Sequence, residues 1–188
     1  MTSKIANDKS SMVQARTRSM PKAGHDTRHL KIRKNHCFGC GKDNPDGMRL
    51  KFSFDENNRR TWCCFRLSRR YQGPPGHAHG GIIATILDEA MGKVNKFRSV
   101  VALTKNMEIE YLKPVPLGKP LLVEGIERIV RGRKHINVAE IRDEQGTTLA
   151  RSKGIFIAID PERMFAKYLP KNGGTGPLVY SAKRPASS

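Results

Sequence analysis

The sequence lacks any run of about 18 apolar residues, and this absence excludes a transmembrane helix. It also lacks the apolar segment that a secretory signal carries near its N-terminus. Cysteine is scarce, because four residues in two close pairs are too few for a disulfide scaffold. These absences predict a protein of the reducing cytoplasm. The basic N-terminus, which contains Ser and Thr and few acids, also fits a mitochondrial type of transit peptide.

Acidic residues are few as well. The 17 Asp and Glu stand against 35 Lys and Arg, and the net charge of +18 indicates an anionic partner or substrate. More than half of this excess lies in residues 1–36 and 161–188. We therefore predict a disordered extension at 1–34, one domain at 35–160 and a loose tail at 161–188. Specific nucleic-acid binding is not expected, since aromatic residues make up only 6% and no helix-turn-helix, paired-cysteine finger or RNA-binding aromatic pattern is present.

A proline-free apolar segment follows a glycine-rich loop and predicts a helix from Ile82 to Phe97. Gly80 and Gly81 stand at its predicted N-terminus. Unpaired backbone N–H groups and the positive end of the helix dipole would stabilise an oxygen that gains negative charge there. Two turns further on lies Asp88, on a stripe of small residues that would let a ligand or partner approach its carboxylate.

The rest of the domain predicts antiparallel strands joined by short turns. The strands are expected at 48–54, 61–67, 100–111, 121–130, 137–142 and 147–159. One long helix with a series of such strands gives an α+β fold, in which a sheet packs on a helix.

Several motifs together carry a resemblance to a known family. They are YQGPPG before HGG, the helix IIATILDEAMG, Thr104, the run EYLKPVPLG at 110–118, and GRK at 132–134. Over roughly residues 36–160 the chain resembles the hotdog-fold acyl-CoA thioesterases, in particular the phenylacetyl-CoA thioesterase-like branch and its mitochondrial relatives. The resemblance implies a hotdog fold, with an antiparallel sheet wrapped around one long central helix, and a homodimer or a dimer of dimers.

The resemblance also implies roles for individual residues. The Gly80 N–H would hold the oxyanion, with Gly81 adding the helix-end dipole, and Asp88 would act as general base or as nucleophile. In the family this carboxylate faces the oxyanion site of the other subunit. Thr104 matches a residue that positions the attacking water, and His79 matches the family histidine beside the glycines.

Most of these side chains have a structural alternative. Asp88 could be a polar residue at a helix–helix contact, and Thr104 a residue that suits a strand. His79 could cap the helix or orient the loop. Some relatives have Asn where this chain has Gln72, so that part of the pattern departs from the family. Glu89, about 100° round the helix from Asp88, is predicted to be a solvated or interface charge.

Arg133 and Lys134 follow Gly132 in a predicted turn between strands, and the resemblance implies that they bind the phosphates of coenzyme A. An ordinary basic edge is the alternative. No metal and no cofactor is expected. The predicted function is the hydrolysis of acyl-CoA to a free acid and CoA, within fatty acid metabolism. The alternative is a hotdog module that binds acyl-CoA without cleaving it.

The segment 36–40, His-Cys-x-x-Cys, raises the question of zinc. A closed zinc site needs four ligands, and the other two thiols, Cys63 and Cys64, are neighbours in a strand that point to opposite faces. Cys37 and Cys40 are therefore predicted to be small buried residues of a glycine-rich turn.

Overall fold

The computed structural model describes residues 34–168. Two strands, a long helix and four more strands follow one another along the chain. They are β1 (Ser53–Asp55), β2 (Arg60–Phe65), α1 (Gly80–Val94), β3 (Val101–Tyr111), β4 (Leu121–Arg131), β5 (Lys134–Arg142), β6 (Thr148–Ile159) and a short α2 (Pro161–Phe165), with 3-10 turns at Arg69–Tyr71, Asn95–Arg98 and Ala166–Tyr168. The disordered extension was predicted at 1–34 and the loose tail at 161–188; residues 1–33 and 169–188 of these segments lie outside the described residues.

The six strands form one antiparallel sheet in the order β1-β2-β4-β5-β6-β3. Helix α1 lies against it and contacts β2, β3, β4, β5 and β6. This arrangement confirms the predicted α+β fold with one long helix inside a curved antiparallel sheet. Among the described strands β3 pairs with β6 alone, so β3 forms an edge of the sheet.

The core lies between α1 and the sheet. The helix buries Ile83, Ile86, Leu87, Ala90, Met91 and Val94, whereas Ile82 is only partly buried. Helix and sheet approach most closely at Gly125 of β4, where an added Cβ would lie 2.5 Å from the Ala90 carbonyl oxygen. Glycine is therefore required at this position for the helix to reach the sheet.

The first strand and the end of the domain differ most from the sequence prediction. The first predicted strand shrinks to Ser53–Asp55, because Arg49 has a positive φ of 54°. The backbone N–H groups of Met48 and Leu50 instead donate to the carbonyls of Phe38 and Gly39. These bonds tie the segment to the cysteine-containing turn rather than to a neighbouring strand.

The predicted end of order at Pro161 is also different. Pro161 occupies the first turn of α2, where a missing N–H costs nothing. The Asp160 carboxylate caps this helix by accepting from the N–H groups of Glu162 and Arg163 at 3.0 and 3.2 Å. Over the described residues, α1 and α2 are both too short or too polar to cross a bilayer.

Candidate active site

The glycine-rich loop before α1 is held by backbone hydrogen bonds. The Ala78 N–H donates to the Val115 carbonyl at 2.9 Å, and the His79 N–H donates to the Tyr71 carbonyl at 2.9 Å. Gly73 lets the loop fold back closely, because an added Cβ there would lie 2.8 Å from the His79 Cα. The Gln72 side chain braces the same loop by accepting from the Gly76 N–H at 3.4 Å. These contacts fix where the helix begins.

His79 is the N-cap of α1. Its Nδ1 accepts a hydrogen bond from the Gly81 N–H at 3.0 Å, and its carbonyl accepts from the Ile82 and Ile83 N–H groups. Of the two alternatives for His79, the geometry corresponds to the helix cap. Because the Gly81 N–H is engaged, a substrate oxygen at this helix end would have to rely on the Gly80 N–H.

Tyr111 reaches the same helix end and was missed by the sequence reasoning. Its hydroxyl donates to the Gly80 carbonyl at 3.2 Å, and a Cβ added at Gly80 would lie 3.7 Å from its ring. The available signal was its place on an alternating strand, two residues beyond Ile109 and four beyond Met107. Which element would face that strand position could not be read from the sequence.

Asp88 and Thr104 meet across the gap between α1 and β3. The Thr104 hydroxyl donates to the Asp88 Oδ1 at 2.7 Å. Burial raises the pKa of the Asp88 carboxyl, the Thr104 hydrogen bond opposes this shift, and the nearby Glu89 charge adds to it. The result is a half-buried carboxylate of increased basicity, held in one orientation by a neighbouring hydroxyl.

A β-bulge helps to place Thr104. The register of β3 against β6 shifts between Thr104 and Asn106, where β3 carries an additional residue. Thr104 is paired with Phe156, a buried residue whose ring faces α1 near Gly92. Its hydroxyl therefore lies on the helix side of the edge strand.

Gly80 and Asp88 are not brought together within one chain. Eight residues separate them on the same helix, which corresponds to about 12 Å along the axis. The distance exceeds the size of a single carbonyl group by several fold. One chain can thus supply the helix end or the carboxylate to a given carbonyl, and not both.

The basic turn between β4 and β5 lies at the same end of the sheet as Thr104. Thr104 pairs with Phe156, which in turn pairs with His135, so the turn is two strands or about 10 Å away. Arg133 is exposed, and its Nε donates to the Ala158 carbonyl at 2.8 Å. Lys134 is also exposed and, by strand alternation, points to the opposite face from the buried His135.

Two predictions near the site concern Glu89 and Cys37. Of the two alternatives for Glu89, the solvated charge is wrong, because the carboxylate is mostly enclosed and lies 2.7 Å from the Lys93 Nζ. The interface charge stays a prediction. The prediction that Cys37 is buried is wrong, because this residue is exposed. Both thiols of the turn lie beside this ion pair: the Cys37 Sγ is 3.6 Å from a Glu89 oxygen, and the Lys93 Nζ is 2.8 Å from the Cys40 Sγ.

The pKa values of Cys37, Cys40 and Glu89 are shifted in different directions. The hydrogen bond with Cys40 lowers the pKa of Cys37 to about 6, whereas the same bond and burial raise the pKa of Cys40. Burial by itself would raise the pKa of Glu89, yet the Lys93 charge and hydrogen bonds from its neighbours hold it below its ordinary value. Glu89 is thus a charged carboxylate inside a polar cluster.

Comparison with known proteins finds sequences and structures that are similar to this chain. Residues 75–150 match the family model of the thioesterase superfamily. The chain is 31% identical over 118 residues to acyl-coenzyme A thioesterase THEM4 of Rattus norvegicus, which corresponds to 62% of this chain and 51% of that protein. It thus spans about half the length of the curated relatives it matches.

Solved structures agree. The crystal structure of protein RHA08564, a thioesterase superfamily protein, is similar with a TM-score of 0.62 and 29% identity, covering 65% of this chain and 63% of that one. The structure of smu.793 from Streptococcus mutans UA159, bound to acetyl CoA, has a TM-score of 0.55 and 22% identity, covering 58% and 88%. The second similarity supports the fold alone.

Proposed function

We propose that this chain hydrolyses acyl-CoA to a free acid and CoA, on the premise that residues 75–150 match the family model of the thioesterase superfamily and that the fold is similar to a solved structure of that superfamily. The observation that carries the proposal is the hydrogen bond of 2.7 Å between the Thr104 hydroxyl and the Asp88 carboxylate. Asp88 stands eight residues after Gly80, the first residue of the helix. The 31% identity to a protein named acyl-coenzyme A thioesterase supports the substrate class. We assign this activity to residues 35–160.

In the proposed reaction a water molecule attacks the thioester carbonyl carbon. Asp88 takes the proton of that water, and Thr104 holds the carboxylate in position. The carbonyl oxygen becomes an oxyanion that accepts a hydrogen bond from the Gly80 N–H, with the helix dipole and Gly81 contributing. The C–S bond then breaks, and the CoA thiolate leaves and takes up the proton. Attack by Asp88 itself, through a mixed anhydride that water later hydrolyses, uses the same groups.

The reaction requires two copies of the chain, because Gly80 and Asp88 are about 12 Å apart on one helix. Among the strands of residues 34–168, β3 pairs with β6 alone, so its other edge offers backbone N–H and C=O groups along an 11-residue strand. We propose that β3 of a second copy pairs there, so that each site combines the helix end of one chain with the carboxylate of the other. A homodimer is the minimal active unit, and two dimers could associate further.

Arg133 and Lys134 are proposed to bind the phosphates of coenzyme A. Both are exposed cations at the end of the sheet where Asp88 and Thr104 meet. Exposed charges of this kind attract a phosphorylated substrate and accelerate its encounter without taking part in bond breaking.

The direct test is Asp88→Asn in an assay that detects free CoA thiol. We expect the turnover number to fall by about 100- to 10,000-fold, the usual contribution of a positioned base. The matched control is Asp46→Asn, because the Asp46 side chain is 87% exposed and its carboxylate lies 3.9 Å from Arg70 rather than beside Thr104. Wild-type turnover in Asp88→Asn would contradict the mechanism. Tight acyl-CoA binding by the wild type, with no thiol released, would instead indicate a binding module.

We also propose a cytoplasmic location, with mitochondrial import as the alternative that the basic N-terminal residues suggest. The comparison is between the full chain and a chain lacking residues 1–33, each fused to a fluorescent protein at its C-terminus. Diffuse fluorescence from both supports the cytoplasm. Mitochondrial fluorescence that requires residues 1–33 would establish import.

A further inference from the structure

A second group of reactive side chains lies on the other side of α1 from Thr104. Asp88 and Glu89 are adjacent in sequence, so their side chains diverge by about 100° round the helix. Glu89 turns towards the segment 35–41, where it meets Cys37 and Cys40. We infer that Cys37, Cys40 and Glu89 form a binding site for a thiophilic divalent metal ion, zinc in the first place.

The spacing of the three ligand atoms supports this site. The two Sγ atoms and a Glu89 oxygen all lie within 4.8 Å of one another. With Zn–S of about 2.3 Å and Zn–O of about 2.0 Å in a tetrahedron, a sulfur and an oxygen ligand should be about 3.5 Å apart. The Cys37 Sγ and Glu89 Oε2 are 3.6 Å apart. The Cys37 and Glu89 ligand atoms therefore already have the separation that a shared zinc ion requires.

The backbone around the cluster is shaped to let these atoms meet. A Cβ at Gly39 would lie 2.6 Å from the Glu89 Oε2, so any side chain there would displace the carboxylate. A Cβ at Gly41 would lie 2.4 Å from the Cys37 carbonyl oxygen, which accepts from the Gly41 N–H at 2.8 Å. Two glycines thus permit a tight turn that points two thiols at a helix-borne carboxylate.

Lys93 completes the charge balance. It is 5% exposed, and its Nζ lies 2.8 Å from the Cys40 Sγ and 2.7 Å from the Glu89 Oε1. With a divalent cation bound, two thiolates and one carboxylate balance the metal ion and the lysine. The metal-bound group is therefore neutral and buries no net charge.

The donor set selects the type of metal. Thiolate ligands favour zinc and other soft cations over magnesium or calcium, which prefer sets of oxygen ligands. Three protein ligands leave a fourth tetrahedral position for water. Zinc was not expected from the sequence, because the other two thiols cannot both join Cys37 and Cys40. The proposed third ligand is instead a carboxylate from a distant helix.

The site would have a structural role. It would join the turn at 35–41 to the middle of α1, one residue beyond Asp88 on the chain. Because this segment also bonds to Met48 and Leu50, the ion would fix the start of the domain against the helix. The inference does not rest on thioester hydrolysis, and the two can fail separately.

The test uses the full chain, purified without chelator, with its metal content measured by mass spectrometry. We expect about one zinc ion per chain. Cys37→Ser and Cys40→Ser should lose it, Glu89→Gln should weaken it by at least about tenfold, and Cys64→Ser should keep it, because the exposed Cys64 lies on β2. Should a cysteine variant fail to fold, cobalt(II) added to the stripped wild type gives a second readout, a thiolate-to-cobalt charge-transfer absorption.

The outcomes separate clearly. A stoichiometric ion that depends on Cys37 and Cys40, or a thiolate–cobalt band in the wild type that Glu89→Gln alters, supports the site. No bound zinc together with no such band overturns it, as does zinc that survives loss of both cysteines. A disulfide between Cys37 and Cys40 in protein purified under mild reduction, found by mass spectrometry of alkylated peptides, would also overturn it in favour of a redox pair.

Discussion

Removal of the Thr104 hydroxyl is the sharpest perturbation of the proposed site. Thr104→Val keeps the size and the branched shape of the side chain but deletes the donor that lies 2.7 Å from the Asp88 Oδ1. Thr104 is exposed within the chain, so the substitution creates no cavity in the core. Thr104→Ser is the matched control, because it retains the hydroxyl.

The size of the effect follows from that bond. A hydrogen bond to a charged group contributes about 1.5–3 kcal/mol, and each 1.4 kcal/mol corresponds to tenfold in rate. Water can replace part of the contribution at an exposed position, so we expect about a tenfold fall in kcat with little change in KM. The Thr104 bond also opposes the rise in the pKa of Asp88 that burial causes. Its loss should raise that pKa further.

The direction of the pH effect is fixed by the proposed base. Asp88 works only when ionised, so activity falls as the pH drops through its pKa, and a higher pKa moves this acid limb to higher pH. The assay is a pH profile of kcat/KM for the wild type, Thr104→Val and Thr104→Ser. An unchanged rate and acid limb in Thr104→Val would refute a role for Thr104 beside Asp88. Equal loss in both variants would point to a structural role instead.

Three further predictions address the substrate, the helix and the core. The double variant Arg133→Ala, Lys134→Ala should raise KM for acyl-CoA by about fivefold at low salt, because exposed ion pairs contribute up to about 1 kcal/mol. It should leave the hydrolysis of an acyl thioester that lacks the nucleotide unchanged. An equal effect on both substrates would contradict phosphate binding. Asp88→Asn should raise the free energy of unfolding at neutral pH by about 1 kcal/mol, because folding partly desolvates the Asp88 charge, while the same substitution removes activity. A loss of stability on denaturant unfolding would argue against that reasoning. Gly125→Ala should lower the free energy of unfolding by about 1–3 kcal/mol, because the added methyl group would press on the Ala90 carbonyl. The control is Gly92→Ala, because a Cβ added there lies 3.9 Å from the nearest Phe156 atom. Similar losses of stability in both variants would contradict the argument from close packing.

The stability of the folded chain depends on pH through Asp88. Its pKa in the folded state is raised, so the folded chain holds the proton more tightly than the unfolded chain. The wild type should therefore lose stability as the pH rises from the unfolded pKa of an Asp through the higher folded value. Asp88→Asn should not show this part of the pH dependence, which denaturant unfolding at several pH values can measure.

Local pattern was sufficient for much of the fold. The helix was predicted from Ile82 to Phe97 and runs over Gly80–Val94, and the four strands from β3 to β6 lie within three residues of their predicted ends. These elements have strong periodicity and clear turns at their ends. The strand predicted at Met48–Phe54 was mostly wrong, because its backbone groups bond to the turn at 38–39 and not to a sheet.

The chain sequence by itself determined the spacing of the candidate site. A glycine pair at the start of a helix and an Asp eight residues later are fixed by covalent order and helical repeat. The tertiary structure decided which groups these residues meet: Thr104 at Asp88, Tyr111 at Gly80, and two cysteines at Glu89. Contacts between segments far apart in sequence depend on sheet order and on the direction in which a helix face points. One helix therefore presents two adjacent acids to two different environments, a distinction that a periodic pattern cannot express.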